Sequence, residues 1–169
     1  MSGGRRIVVV GGGPAGVAAA LAAKQQDSAA EVVLISDERQ EPYEKPPLSK
    51  AVLTGKALPE DAPIAGPKGV AGHGVRLELG SAVKAIDRAA RTVVTQAGAR
   101  IGYDVLVLAT GSTNRVLPVF PPRGRGIHYL RTEADARALK ARSAHRGGCT
   151  RSQGAAAPGP IAFWSSAAG

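Results

Sequence analysis

The most constraining feature of this chain is the loop Gly11-Gly12-Gly13-Pro14-Ala15-Gly16, set directly behind the apolar run Ile7-Val8-Val9-Val10. Such a continuous run suits a central parallel strand covered on both faces. Past the loop, Val17-Ala18-Ala19-Ala20-Leu21-Ala22-Ala23-Lys24 is a strong helix former. Glu31-Val32-Val33-Leu34-Ile35 then reads as a second buried strand, which completes a β-α-β unit. Within the G-x-G-x-x-G pattern each glycine meets a steric need. Gly11 permits the tight turn off the strand, and Gly13 lets a pyrophosphate approach bare backbone. Gly16 lets the helix pack close to the strand. Pro14 and Ala15 complete the loop, and the helix N-terminus behind it favours an anion through its free N–H groups and dipole. The second strand runs out into Asp37 and Glu38, about twenty residues past the last glycine, where a carboxylate can accept hydrogen bonds from ribose hydroxyls. Asp37 is favoured over Glu38 for that task. Arg39 could instead meet a 2′-phosphate, although an arginine beside acids is ordinarily solvated. The pattern marks a dinucleotide site and does not distinguish NAD from FAD.

With 169 residues the chain can bury the core of one ordinary domain. It has no run of eighteen uncharged apolar residues, so no membrane span is expected. The N-terminal apolar stretch is itself part of the glycine motif rather than a signal peptide, and the protein is read as cytoplasmic. Cys149 is the only cysteine, which excludes a disulfide framework and a Cys-x-x-Cys redox pair. The net charge of +9 has two readings, a basic face that steers an acidic partner protein and an arginine-rich solvated surface. The basic residues are scattered, without interleaved aromatics, which gives nucleic-acid binding little support.

From Asp37 to Pro47 the chain is polar and proline-rich, a loop, and Leu48–Leu53 can form a short helix with Gly55 just past its end. Pro59–Gly74 has three prolines, four glycines and no period. Val75–Leu79, Ala82–Ile86 and Thr92–Thr95 are short strand candidates that together suggest an antiparallel meander. Val105–Ala109 reads as another buried strand, ending in Thr110-Gly111-Ser112. Pro118–Gly126 is rich in proline and glycine. A helix follows, with Thr132 as N-cap and Glu133 and Asp135 in its first turn, running to about Ala141. His73 and His128 stand alone, without partners spaced for a metal or a triad, and no metal site is expected.

Four blocks, in order, carry a resemblance. They are Val8–Gly16, Pro42-Tyr43-Glu44-Lys45-Pro46-Pro47-Leu48-Ser49-Lys50, Tyr103–Ser112, and Tyr129-Leu130-Arg131-Thr132. Residues 5 to about 142 resemble the FAD-dependent pyridine nucleotide-disulfide oxidoreductases, in particular the ferredoxin reductase branch that includes the putidaredoxin and rubredoxin reductases. The resemblance implies an α/β, Rossmann-like FAD-binding domain in which a parallel sheet carries an antiparallel β-meander. It also implies an NAD(P)H-dependent oxidoreductase that passes electrons through its flavin to a ferredoxin- or rubredoxin-type carrier. By the same resemblance, the glycine block binds the ADP half of FAD, and Lys50 lies near the flavin ring, where a cation stabilises the charge that builds as hydride arrives. Ala109, Thr110 and Gly111 pass along the cofactor, Val83 offers its backbone to the adenine, and Arg131 contacts the cofactor. Disulfide reductases of the superfamily carry a redox Cys-x4-Cys where this chain reads Glu41–Lys50. No cysteine stands there, which directs electrons to an external carrier.

The chain departs from this family in its last part. Ser143–Gly169 has no Asp or Glu and is mostly Ala, Gly, Ser and Pro, so it is read as a low-complexity, disordered tail with no second domain. The second glycine fingerprint for NAD(P)H and the Gly-Asp motif that closes the flavin domain in the family are not found. Residues 1–142 are therefore read as the N-terminal part of an incomplete FAD/NAD(P)-binding domain, and 143–169 as a truncated or frameshifted end. Two alternatives stand beside this reading. One is a non-catalytic FAD- or nucleotide-binding remnant. The other is an NAD-dependent dehydrogenase, which would require a catalytic His, Tyr-x-x-x-Lys or metal ligands that the later chain does not show. Translation of the gene in its other frames is expected to return a second glycine fingerprint downstream; finding none would count against the frameshift.

Overall fold

A computed structural model describes residues 4–120, 127–146 and 162–164 of the chain. The chain falls into two compact units, Met1–Glu44 with Ala62–Gly111, and Lys45–Asp61 with Ser112–Gly169.

The first unit is built on β1 (Arg6–Val10), α1 (Pro14–Gln26), β2 (Glu31–Ile35) and β3 (Arg76–Glu78). It continues with β4 (Val83–Asp87), β5 (Thr92–Thr95), β6 (Arg100–Gly102) and β7 (Val105–Leu108). Four strands form a parallel sheet in the order β3-β2-β1-β7. In the two central strands successive side chains point to opposite faces, and both faces are covered. Val9, Val32 and Leu34 pack with Val17 and Ala20 of α1 and with Val70 and Val75. Val8, Val10, Val33 and Ile35 pack on the other face with Val93 of β5. The uninterrupted apolar runs of β1 and β2 thus serve two cores at once. Each fully buried Val or Leu there contributes on the order of 1.5–3 kcal/mol through removal from water. Small residues on α1, with Gly16, Val17 and Ala20 buried, let the helix lie close to the sheet.

The antiparallel meander is present but assembled differently from the sequence expectation. Its strands are β4, β5 and β6. The candidate Val75–Leu79 instead supplies β3, which pairs in parallel with β2 through Val33↔Arg76 and Ile35↔Glu78. Two side chains account for this choice, since Val75 is buried and Leu77 packs against the helix-side core. The strand β7 was expected to be buried, yet Val105 is 39% and Leu108 60% exposed. It occupies the end of the sheet order, where one edge has no neighbouring strand among the described residues. Pro59–Gly74 is irregular apart from two short 3₁₀ turns, Pro59–Asp61 and Ala71–His73.

In the second unit the expected helix at Leu48–Leu53 is replaced by a 3₁₀ turn, Pro46–Ser49, followed by turns. Adjacent prolines remove two backbone donors from its first turn, and Lys50 leaves helical geometry with φ −122° and ψ −100°. The other elements are β8 (Ile127–Tyr129), α2 (Glu133–Arg146) and β9 (Ala162–Trp164). Thr132 caps α2 as expected: the Asp135 amide donates to Thr132 Oγ1 (3.2 Å), and the Thr132 amide donates to Asp135 Oδ2 (2.9 Å). This reciprocal pairing satisfies donors that the helix itself cannot. Glu133, Ala136 and Leu139 form the buried stripe of α2. Arg137 bonds Glu133 one turn back and Glu60 across the unit. The hydrogen bond from Arg137 to Glu133, and then the charge of that carboxylate, raise the guanidinium above its usual pKa.

The helix runs to Arg146, beyond the expected end near Ala141. Within the last part of the chain, Ala162–Trp164 pairs in parallel with Ile127–Tyr129. A partner strand satisfies backbone groups that composition alone left unassigned. The rest of that tail, 147–161 and 165–169, lies outside the described residues.

Leu34 is completely buried between β1 and β3. Truncation Leu34→Ala is expected to lower the unfolding free energy by roughly 2–5 kcal/mol, measured by urea denaturation followed by circular dichroism.

Candidate functional site

Gly11 leaves β1 with φ +120°, a conformation that disfavours any side chain. Its amide donates to the Ile35 carbonyl (2.8 Å), tying the start of the loop to the end of β2. A Cβ at Gly11 would run into the Ala109 carbonyl, and one at Gly16 would strike the Gly11 carbonyl. At Gly12 an added Cβ would lie 2.7 Å from Ser36 Oγ. Gly13 is different: nothing stands within 4 Å of where its Cβ would be. The protein's own packing therefore demands glycine at 11 and 16 but leaves open space at 13. Gly13 is also the N-cap of α1, with φ −81° and ψ −179°, and no side chain caps the first turn. Pro14 takes the first helical position, where its missing N–H costs nothing. The remaining first-turn N–H groups have no intrahelical partner.

Two further chain segments flank this loop at the carboxyl ends of neighbouring strands. Past β7, Ala109 donates its amide to the Val10 carbonyl (2.8 Å), and Thr110 and Gly111 follow, both exposed. Past β2, Ser36 is buried; its amide donates to Glu78 O (2.9 Å) and its carbonyl accepts from Ser81 N (2.8 Å). The Glu38 amide donates to Ser36 Oγ (3.2 Å), and the Glu38 carbonyl accepts from Gly80 N (2.9 Å). Tyr43, only 4% exposed, donates its hydroxyl to Glu38 Oε2 at 2.6 Å. Asp37 is exposed, and its carboxylate makes no hydrogen bond or ion pair among the described residues. Val83, half-buried, begins β4 two residues after Ser81 and packs against the meander-side core.

The fold thus gathers Gly11, Gly13, Pro14, Ala15, Gly16, Asp37, Glu38, Val83, Ala109, Thr110 and Gly111 within the first unit. Lys50 and Arg131 belong to the second unit. Lys50 is exposed at the end of the 3₁₀ turn, with its amide donating to Pro47 O (3.0 Å). The Arg131 amide donates to Asp135 Oδ2 (3.0 Å) beside the Thr132 cap. Sequence reasoning missed Ser36, Tyr43 and Glu41. The Glu41 carboxylate accepts from Val70 N (2.7 Å), while Glu44 N donates to Ala62 O (2.8 Å) and Ile64 N to Pro42 O (3.2 Å). These bonds, with the bridge between Tyr43 and Pro63, join the chain where it leaves the first unit to where it returns. A tyrosine inside a proline-rich loop was the available signal, since a buried hydroxyl needs a partner.

Among the described residues, no three His, Cys, Asp or Glu side chains converge as a metal site would require. None of the described helices is long and apolar enough to cross a membrane.

Residues 5–147 match the pyridine nucleotide-disulphide oxidoreductase family. The chain belongs to that family. Among its family relatives is rhodocoxin reductase of Rhodococcus erythropolis, 40% identical over 105 residues, which are 62% of this chain and 25% of the relative. Putidaredoxin reductase of Pseudomonas putida is 38% identical over 109 residues, 63% of this chain and 26% of the relative. The crystal structure of the covalent putidaredoxin reductase–putidaredoxin complex superposes with a TM-score of 0.70 at 36% identity, covering 82% of this chain and 34% of that one. The chain spans about a quarter of the length of the curated relatives it matches.

The contrast between positions 13 and 16 is measurable. Gly16→Ala forces the Gly11 carbonyl aside and is expected to cost roughly 1–3 kcal/mol. Gly13→Ala is expected to leave the thermal midpoint close to that of the parent in differential scanning calorimetry.

Proposed function

We propose that this chain supplies the FAD-binding part of an NAD(P)H-dependent reductase serving a ferredoxin- or rubredoxin-type carrier. The observation that carries the reading is the open space at Gly13, in front of a helix start that no side chain caps. Glycine there serves no internal packing, and an approaching pyrophosphate is what such a bare, donor-rich backbone suits. FAD, when bound, accepts hydride from NAD(P)H and can release electrons singly.

The residues of the chain take the following parts in this proposal. Gly11, Gly13, Pro14, Ala15 and Gly16 cradle the pyrophosphate, and of the carboxylates Asp37 and Glu38 one, with Asp37 favoured, serves the adenosine ribose. Val83 offers backbone to the adenine, while Ala109, Thr110 and Gly111 pass beside the cofactor and Arg131 contacts it. Lys50 supplies a fixed positive charge for the flavin ring, the one catalytic assignment. The segment Glu41–Lys50 has no cysteine, so no thiol pair stands ready there to take electrons. An external carrier is the remaining outlet, in keeping with the names of the relatives, and the net charge of +9 favours an acidic one. The same reading keeps the protein in the cytoplasm.

A second reading stands beside it: the chain binds FAD or ADP without turnover. One preparation separates the two. The purified protein, mixed with FAD and desalted, is expected to keep a flavin absorption spectrum. A colourless protein would overturn the reductase reading and the binding of FAD. Reduction of ferricyanide by NADH marks the reductase, and retained flavin without that activity marks the binding remnant.

A further inference from the structure

The two adjacent carboxylates past β2 differ in what holds them. Glu38 is held, among its contacts, by Tyr43 at its side chain, by Ser36 Oγ at its amide and by Gly80 at its carbonyl. Asp37, one residue earlier, is exposed, and its carboxylate makes no hydrogen bond or ion pair among the described residues. Tyr43 is more than a local partner. Its ring is buried, and its backbone bridges Pro63. Beside it, Glu44 N donates to Ala62 O, where the chain departs for Lys45–Asp61 and returns. The phenol therefore joins the acidic turn to the Tyr43–Pro63 bridge within the first unit.

We propose that Tyr43 is a positioning residue for the adenosine end of the nucleotide site: it holds Glu38 as an internal anchor, and this leaves Asp37 as the carboxylate that meets the ribose. The proposal rests on the FAD-binding reading above. A hydrogen bond from a buried hydroxyl to a carboxylate is among the stronger neutral-to-charged contacts. It fixes the turn through the residue next to Asp37, so an incoming ribose finds its acceptor already placed. Glu38 is poorly suited to that task, because a ribose hydroxyl would have to compete with the Tyr43 phenol for the same carboxylate.

The test is ADP binding to the full chain by isothermal titration calorimetry, for the parent protein and for Tyr43→Phe, Glu38→Gln, Asp37→Asn and the pairwise combinations. Tyr43→Phe and Glu38→Gln are each expected to weaken ADP by about fivefold, with the double variant no weaker than either alone. Asp37→Asn is expected to weaken it by about tenfold or more, and to add to the effect of Tyr43→Phe. Thermal midpoints are recorded alongside. ADP affinity kept within twofold in Tyr43→Phe, whether or not its midpoint falls, would show a purely structural contact and overturn the proposal. So would a loss in Glu38→Gln as large as in Asp37→Asn that adds to the loss in Tyr43→Phe. Should Tyr43→Phe fail to fold, Glu38→Gln and Asp37→Asn still decide between anchor and ligand. A parent protein that binds neither ADP nor FAD overturns the underlying site reading and the proposal with it, an outcome distinct from the others.

Discussion

Where Gly16 meets the Gly11 carbonyl, and Gly11 in turn meets Ala109, three stretches of backbone lie closer than any side chain would permit. This contact decides how near α1 can come to the sheet. It also decides how tightly the ends of β1 and β7 sit together, with Ala109 N bonded to Val10 O. Everything placed at this end of the sheet inherits its position from that closeness. The start of α1 is brought to the rim with its first turn uncapped, and Gly13 stands in the open before it. Two glycines are consumed by the protein's own packing, and the third is left for something outside it.

The parallel sheet meets a second demand, burial on both faces at once. Alternate residues of β1 and β2 enter different cores, one shared with α1 and one with the meander. That is why apolar runs without alternation read correctly as central strands. The same rule does not extend to β7. Its sequence, Val105-Leu106-Val107-Leu108, is as apolar as that of β1, yet Leu108 is exposed. A run of side chains records what a strand can bury, and neighbours decide what it does bury.

The acidic turn shows a comparable division. Asp37 and Glu38 were both legible as carboxylates at the right distance from the glycine loop. Their difference arises from Tyr43, which reaches Glu38 from a proline-rich loop that has no regular period of its own. Ser36, two residues back in the same turn, and Gly80, from a distant one, complete the hold on Glu38. Contacts of this kind join stretches of chain that no local pattern relates. For the same reason β3 could not be separated from the meander strands by reading along the chain. Its parallel pairing with β2 depends on Val75 and Leu77 finding the helix-side core.

The β-α-β unit, the glycine positions and the cap of α2 at Thr132 were determined by the sequence alone. They rest on interactions within a few residues: steric limits on backbone torsion, helix propensity and the reciprocal bonding of Thr132 with Asp135. The tertiary structure decided which strand closes the sheet, which carboxylate Tyr43 holds and how the chain on either side of the Lys45–Asp61 segment is joined. It also decided that Ala162–Trp164 pairs with Ile127–Tyr129. Each of these is a choice among partners distant in sequence, and only burial and hydrogen bonding in the folded chain can rank such partners.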